Sequence, residues 1–273
     1  MNPIEALLFA VIQGISELFP VSSLGHGVLI PDWLHWSINR TSPDFLPFMV
    51  VLHLGTAAAL LLYFRRDWLQ LIGGFLKAGG KTSNPDARLL WLLIAGTIPA
   101  GLLGLLLEKQ LRALFTSATA VLIFLSLNGL LLLWGDRLKR KQSHLDLDKL
   151  SLSGAIKIGA GQALALLPGF SRSGATLVAG LAHGLDYASS ARFSFLLATP
   201  IIAAAGVLEV PKLAHSQAPT ALLLACGLLS GVCAYASTWF LMRYFKKSEI
   251  ESLRPFGYYC LLVGLGGLLV KFL

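Results

Sequence analysis

PGFSRSGAT, residues 168–176, is the stretch that decides how the chain folds. It lies inside an apolar run, residues 158–181, whose only full charge is Arg172. An arginine in such a run is costly in lipid, so we expect it to face a partner or a water-filled cavity. Pro168 ends any helix before it. A second helix can begin here with Ser171 or Ser173 as its N-cap, so the stretch predicts a broken helix.

The residues of this break are suited to binding a phosphate. Gly169 and Gly174 let the backbone turn tightly and approach a ligand, while Ser171, Ser173 and Thr176 supply hydroxyls. Free N–H groups at a helix start and a guanidinium fork both favour phosphate oxygens. The alternative is a polar helix break in which Arg172 only forms an ion pair, since buried polar groups need internal partners.

A second stretch, QGISELFPVSSLGH at residues 13–26, resembles the first. It aligns with residues 162–175 at an offset of 149, with four identities. These pair Gln13 with Gln162, Leu18 with Leu167, Ser22 with Ser171 and Gly25 with Gly174. Both stretches combine an apolar helix, a proline break, a serine pair, a glycine and another apolar helix. In membrane proteins, broken helices at matching places of two repeats indicate the binding site.

Composition indicates an all-α integral membrane protein. The chain has 273 residues, of which 55% are hydrophobic and 13% charged. A soluble protein carries roughly twice that charged fraction. The formal net charge is +8, but the basic residues cluster in loops, which fits membrane orientation and not nucleic-acid binding. The three cysteines lie in apolar segments, a pattern that predicts neither a disulfide framework nor a metal site.

The apolar runs predict a single membrane domain, residues 1–273, made of two half-repeats, 1–135 and 152–273. Each half begins with a pair of helices, at 3–31 and 152–184, whose members are too short to cross a hydrocarbon core needing roughly 20 residues. We therefore predict two re-entrant hairpins, a polar connection over 65–88, and about six transmembrane helices. The spans are placed at about 47–64, 89–107, 117–135, 192–210, 219–242 and 255–272.

The basic residues orient these spans. Loops 65–88, 136–157 and 243–254 contain five, six and four Lys or Arg, whereas loops 108–116 and 209–218 contain two and one. The positive-inside rule places the richer loops in the cytoplasm. The hairpins then enter from opposite faces, so the halves are predicted to be inverted-topology repeats whose two breaks meet near the midplane.

Two groups near the first break could carry chemistry. Glu17 is the acidic residue deepest in an apolar run, and Gln13, four residues earlier, shares its helix face. A carboxylate inside the membrane indicates a functional site. The alternative is that Glu17 only forms a structural ion pair with Arg172. Ser23 and His26, at i and i+3, form a candidate nucleophile and base. His53 is interpreted as a helix-packing residue.

Together the two stretches resemble the bacterial undecaprenyl-diphosphate phosphatases of the bacitracin-resistance type. The first family motif, Glu or Gln followed by three residues and Glu, matches Gln13 and Glu17. The adjoining Pro-Val-Ser-Ser-x-Gly-His matches residues 20–26, and Pro-Gly-x-Ser-Arg-Ser-x-x-Thr matches residues 168–176 without a gap. The resemblance covers the whole chain. One departure is Gln13, because many members have glutamate there.

The resemblance implies hydrolysis of undecaprenyl diphosphate to the monophosphate at the outer face of the bacterial cytoplasmic membrane, which recycles the lipid carrier of cell-wall synthesis. It also implies interdigitated inverted repeats and a divalent cation, usually Mg²⁺, with Ca²⁺ the other candidate. Glu17, helped by Gln13, would bind the metal. Arg172 would clamp the diphosphate together with Ser171, Ser173, Gly174 and Thr176.

Two alternatives remain open from the sequence. Either Ser23 attacks phosphorus with His26 as its base, or His26 itself attacks. A polyprenyl-phosphate transporter or flippase could use the same anion site, because inverted repeats also build alternating-access carriers. Beyond the lipid substrate and the bilayer, the sequence leaves open whether the chain forms a homodimer.

Overall fold

The structure, a computed structural model, describes residues 2–39, 42, 44–107, 114, 117–138, 145–211, 218–247 and 253–273. Over these residues the chain is built from α-helices joined by short turns. They are α1 Pro3–Ser16, α2 Ser23–Trp33, α3 Phe45–Tyr63, α4 Arg65–Lys77, α5 Pro85–Leu106, α6 Ala118–Leu138, α7 Leu152–Gln162, α8 Arg172–Ala182, α9 Tyr187–Glu209, α10 Thr220–Lys247 and α11 Arg254–Phe272. Two 3₁₀ turns, Leu147–Lys149 and Ala163–Leu166, flank α7.

Local sequence explains where several helices begin. Asn2 and Asn84 accept hydrogen bonds from the first turns of α1 and α5, and each is followed by a proline at the first helical position. A proline there loses no helical hydrogen bond and presets the backbone angle. The side chains of Ser151 and Asp186 likewise accept hydrogen bonds from the first turns of α7 and α9, although no proline follows them.

Within the described residues, five helices are long and apolar enough to cross a membrane: α3, α5, α6, α10 and α11. They carry large exposed side chains, such as Leu228, Leu262 and Val270, each at least 59% exposed. Such side chains face lipid without cost. The chain is therefore a multi-pass, all-α membrane protein, as predicted. The sixth predicted span, 192–210, falls on α9, where side chains 205, 208 and 209 lie outside the described set, so the count of six stays a prediction.

The connection over 65–88, predicted as a polar loop, forms a helix, α4, in its first half. This helix buries Leu71 and half-buries Trp68, while Leu69, Ile72 and Leu76 are exposed on its other side. Its charged residues sit at the two ends. Such an amphipathic pattern suits a helix lying along a membrane interface, and charge counting over the loop concealed it.

The helices of the two predicted halves interleave. Helix α1 packs against α10, and its counterpart α7 packs against α5; α3 packs against both α9 and α10, and α6 against α11. Each short N-terminal helix therefore finds its main partner in the other half. Helices α1 and α7 have 14 and 11 residues. Their re-entrant placement, the inverted topology and the division into half-repeats remain predictions.

Candidate active site

The two helix breaks are in direct contact. Glu17 follows the last residue of α1 and Arg172 is the first residue of α8. Arg172 Nη2 donates a hydrogen bond to Glu17 Oε1 over 2.7 Å, although the residues are 155 positions apart. Side-chain exposure is 12% for the arginine and 7% for the glutamate. The prediction that the two breaks meet is thus confirmed.

A buried amide holds the backbones of the two breaks together. Asn128, on α6, donates from Nδ2 to the Pro20 carbonyl over 3.0 Å and accepts from the Ser171 N–H at Oδ1 over 3.1 Å. It is fully buried. The structure shows that it satisfies one backbone group from each break, fixing their spacing.

The aligned serines play equivalent structural roles. Ser22 Oγ accepts from the Gly25 N–H, and Ser171 Oγ accepts from the Gly174 N–H, each over 3.2 Å. Both are therefore N-caps, of α2 and α8 respectively. Ser22 has a φ of +70°, a conformation unusual outside glycine that is often found at functional sites. The weak internal repeat corresponds to a real repetition of local geometry.

Ser23 and His26, the predicted nucleophile and base, are not hydrogen-bonded to each other. The Ser23 hydroxyl donates to Glu17 Oε2. His26 has its Nδ1 at 2.7 Å from the Ser22 carbonyl and its Nε2 at 2.6 Å from the Tyr259 hydroxyl, and its ring stacks on Tyr259. Both nitrogens of His26 are therefore engaged by other groups. The carboxylate of Glu17, and not the imidazole, accepts the Ser23 hydrogen bond.

His53 is the site residue that the sequence interpretation missed. Its Nε2 lies 3.7 Å from Glu17 Oε2, while its Nδ1 is 2.8 Å from the Met49 carbonyl one turn earlier. It therefore faces the carboxylate from α3. The available signal was its position, because an ionisable residue inside an apolar span indicates function by default.

The predicted phosphate-binding residues divide into two groups. Ser171 and Arg172 line a cavity. Ser173 donates to the Phe19 carbonyl over 3.2 Å, and Thr176 donates to the Arg172 carbonyl over 2.8 Å and bonds the Ser194 hydroxyl. The N–H of Gly174 is used by the Ser171 cap. Ser173, Gly174 and Thr176 thus fix the break, Ser171 both caps α8 and lines the cavity, and Arg172 is the member with a donor to spare.

Arg172 has unused hydrogen-bonding capacity. Its Nη1 is buried and has no hydrogen-bond partner among the described residues. Leaving such a group unpaired is expensive. Because Nη2 already bonds Glu17, the free nitrogen supplies a second donor that a phosphate oxygen can accept, in the side-by-side geometry that guanidinium favours.

Gln13 does not reach this site. Its Oε1 accepts from Ser230 Oγ over 2.6 Å, next to Thr56, in a buried cluster between α1, α3 and α10. It is absent from the residues that line the cavity. The predicted supporting role of Gln13 at a metal therefore has no geometric basis here. Its amide instead helps α1 to pack in the apolar interior.

The remaining residues offer a single carboxylate to a metal. No group of three His, Cys, Asp or Glu side chains comes together anywhere in the described ranges. Mg²⁺ commonly binds through one or two carboxylates and completes its octahedron with water and substrate phosphates. Glu17 fits such a substrate-bridged ion, because each of its oxygens can accept a further contact. It does not fit an ion held by the protein alone.

A cavity of about 780 Å³ extends from this cluster. Glu17, Ser22, Ser23, His53, Ser171 and Arg172 provide polar groups in its wall. Most of the remaining wall is apolar. Helix α5 contributes residues from Leu90 to Leu105, among them Ile98 and Leu102, which are more than half exposed. The space therefore combines a charged cluster with an apolar groove.

This arrangement brings together three chemical features. They are a guanidinium that can bind an anion, a hydroxyl hydrogen-bonded to a carboxylate, and an apolar groove that runs along α5. At about 1.5 Å per residue, the lining from Leu90 to Leu105 spans roughly 22 Å. A ligand with a compact anionic head and a long hydrocarbon tail would satisfy both parts. Neither a polar metabolite nor a neutral lipid would.

Comparison with known proteins agrees with this site. A family model described as "Bacitracin resistance protein BacA" matches residues 6–266. A protein of Chromobacterium violaceum named "Undecaprenyl-diphosphatase 2" is 82% identical, with 99% of each chain covered. One with that name from Burkholderia lata is 50% identical over 94% of this chain and 93% of its own, and "Undecaprenyl-diphosphatase" of Acidiphilium cryptum is 48% identical over 97% and 96%. With its two motifs meeting in one cavity and the match running almost end to end, the chain belongs to the BacA bacitracin resistance family.

Proposed function

We propose that this protein is a phosphatase that hydrolyses undecaprenyl diphosphate to undecaprenyl phosphate and inorganic phosphate. The observation that carries this proposal is the contact of Arg172 and Ser23 with one carboxylate, Glu17, at the wall of an otherwise apolar cavity. The family and the names of the relatives point to the same substrate. Regenerating the monophosphate would return the carrier lipid to cell-wall synthesis.

In the proposed reaction Arg172 positions the terminal phosphate. Its unpaired Nη1 donates to one phosphate oxygen, and Nη2 is shared between the phosphate and Glu17. Ser171, at the start of α8, adds the partial positive charge of a helix N-terminus. Fixed donors in a largely apolar cavity stabilise the negative charge on the phosphoryl oxygens during attack.

Ser23 is the proposed nucleophile. Its Oγ forms a bond to the terminal phosphorus as the bond from phosphorus to the bridging oxygen breaks, and undecaprenyl phosphate leaves. The Ser23 proton moves to Glu17 Oε2, which already accepts the hydroxyl hydrogen bond. Water then attacks the phosphoserine, inorganic phosphate departs, and the proton returns to Ser23. His26 is disfavoured as the attacking group because Ser22 and Tyr259 engage its two nitrogens.

A divalent cation fits this scheme. We propose that Glu17 would hold Mg²⁺, with Ca²⁺ as a substitute of the same hard-cation class. When bound, the ion would supply charge neutralisation for the phosphate. Gln13 is left out of this set on the geometry described above.

The proposed location is the bacterial cytoplasmic membrane, with the site reached from the outer face. The distribution of basic loop residues supports this orientation. The exposed apolar side chains that also line the cavity on α5 would let the prenyl tail enter from the bilayer. Oligomeric state, including a homodimer, does not enter the proposed mechanism.

Phosphate release by purified protein tests the proposal. Detergent-solubilised wild-type protein and Ser23→Ala are incubated with C55 diphosphate and Mg²⁺, and inorganic phosphate is measured over time. We expect sustained release from the wild type and none from the variant, with acid-quenched wild type carrying a phosphoserine at position 23. Transfer of polyprenyl phosphate between vesicle leaflets without phosphate release would instead establish a carrier.

A further inference from the structure

Gln162 is the feature of the cavity that this mechanism leaves unexplained. It is 2% exposed, and neither Nε2 nor Oε1 of its amide has a hydrogen-bond partner among the described residues. It nevertheless lines the cavity. Its counterpart in the internal repeat, Gln13, is equally buried, but its Oε1 accepts from Ser230, and its unpaired Nε2 belongs to a residue that does not line the cavity. Only the second glutamine of the repeat presents an unused amide to a ligand space.

Two further donors in the same wall are unpaired. Arg172 Nη1 and Trp68 Nε1 are buried without partners in the part of the chain that the structure describes, and both residues line this cavity. Buried polar groups are normally satisfied, and exceptions call for an explanation such as a ligand. Several donors facing an otherwise apolar space suit an anion with many oxygens. A diphosphate has more acceptors than Arg172 and the helix start can satisfy.

Packing places Gln162, the last residue of α7, between α5 and α8. On α7, a Cβ at Gly159 would lie 1.9 Å from the Gly96 carbonyl of α5, so these helices touch backbone to backbone. A Cβ at Gly161 would lie 3.0 Å from that of Ala179 and 3.6 Å from the Ala175 carbonyl on α8. Ala175 lies less than one turn after Arg172, or roughly 5 Å along the axis of α8, and Gln162 and Arg172 both line the cavity. The two side chains therefore border one ligand space.

We propose that Gln162 binds the prenyl-linked phosphate of the diphosphate while Arg172 holds the terminal one. Its Nε2 donates to a non-bridging oxygen of that phosphate, and its Oε1 accepts from a water that accompanies the charged head. The next cavity-lining residues along the chain are Ala165 and Leu166, so the apolar wall begins where this phosphate would join the tail. The inference rests on the proposed function and assigns its second phosphate subsite.

The subsite makes a specific prediction about inhibitors. Undecaprenyl phosphate, the product, keeps the prenyl-linked phosphate, whereas inorganic phosphate occupies only the terminal position. Gln162→Met keeps side-chain length and removes both polar atoms. A lost hydrogen bond to a charged group corresponds to about tenfold to hundredfold in affinity. We expect KM for a prenyl diphosphate and the inhibition constant of a C15 prenyl monophosphate to rise by that factor, with the inhibition constant of inorganic phosphate unchanged.

Thermal stability separates this role from a structural one. Because the amide is unsatisfied in the free protein, Gln162→Met should keep or raise Tm. Ser190→Ala, which removes another buried and unpartnered hydroxyl outside the cavity lining, is the matched control and should leave all three constants unchanged. A fall in Tm with unchanged constants, or an equal weakening of both inhibitors, would overturn the assignment.

If the proposed function is wrong, wild-type protein will release no phosphate from the C55 diphosphate, whatever the role of Gln162. Binding then still decides the role of Gln162, through the shift in Tm that the C15 prenyl monophosphate produces. A shift in wild type that is lost in Gln162→Met supports the subsite. Equal shifts in the two proteins refute it.

Discussion

Replacing Arg172 by lysine separates its two interactions. Lysine keeps the positive charge and can still pair with Glu17, so the charge balance of the buried cluster is preserved. It lacks the planar fork, and one ammonium cannot reproduce both the 2.7 Å contact to Glu17 and the separate donor that Nη1 now leaves free. Loss of one preorganised donor to a developing charge costs roughly 10²–10³ in rate. A hundredfold loss is about 2.7 kcal/mol.

The assay is steady-state phosphate release from C55 diphosphate, measured beside the melting temperature. We expect kcat of Arg172→Lys to fall by about two orders of magnitude with near-normal expression and a small change in Tm. Arg192→Lys is the matched control, because Arg192 also pairs with a carboxylate, donating from Nε to Asp67 Oδ1 over 2.8 Å, outside the cavity. It should retain kcat. A wild-type kcat in Arg172→Lys would reduce the arginine to a structural counter-charge and refute the phosphate clamp.

Three other predictions follow from described contacts. Asn128→Ala leaves the Pro20 carbonyl and the Ser171 N–H without their partner. At about 1–3 kcal/mol for each group, the free energy of unfolding should fall by roughly 2–6 kcal/mol. Thermal unfolding measures this, and the nearby Ser126→Ala should change it little. Glu17→Gln should abolish phosphate release at every Mg²⁺ concentration. EDTA should inhibit the wild-type enzyme, and added Mg²⁺ should restore its activity. Turnover that resists EDTA would contradict a metal role. Cysteine at the exposed Ser83 should resist membrane-impermeant thiol reagents in intact cells and cysteine at Thr220 should react, whereas the reverse pattern would invert the proposed topology.

The sequence predicted which segments approach each other and left their side-chain partners undetermined. Long apolar runs located the spans, because length and hydropathy are properties of a segment. The approach of the two breaks was predicted from a repeat with four identities, since matching broken helices have to cover each other's polar turns. The Glu17–Arg172 pair that joins them was predicted only as a structural alternative. Amphipathic α4 was missed because its charges at both ends made the segment resemble a loop.

The failure of the Ser23–His26 pair has a mainly non-local cause. Spacing of three residues places two side chains on one side of a helix but says nothing about the stronger partners that other helices bring. Here Tyr259, 233 residues away, takes one nitrogen of His26, and the carbonyl of Ser22 takes the other. Ser23, at the first position of α2, meets the carboxylate that ends α1 instead. The same non-local packing makes His53 part of the cluster.

Charge balance in the cavity explains why a cation and a diphosphate belong together. The ionisable residues in its wall are Glu17, Arg172 and His53, and with a neutral imidazole the first two cancel. This pairing lets the cluster persist in an apolar setting, where an isolated charge is expensive. A bound diphosphate brings at least two negative charges that Arg172, already paired, cannot neutralise alone. In a low-dielectric space that excess is strongly unfavourable, and a divalent cation on Glu17 is the smallest addition that removes it. The single carboxylate of Glu17 and the unpaired Nη1 of Arg172 therefore support the proposal that the metal and the diphosphate bind together.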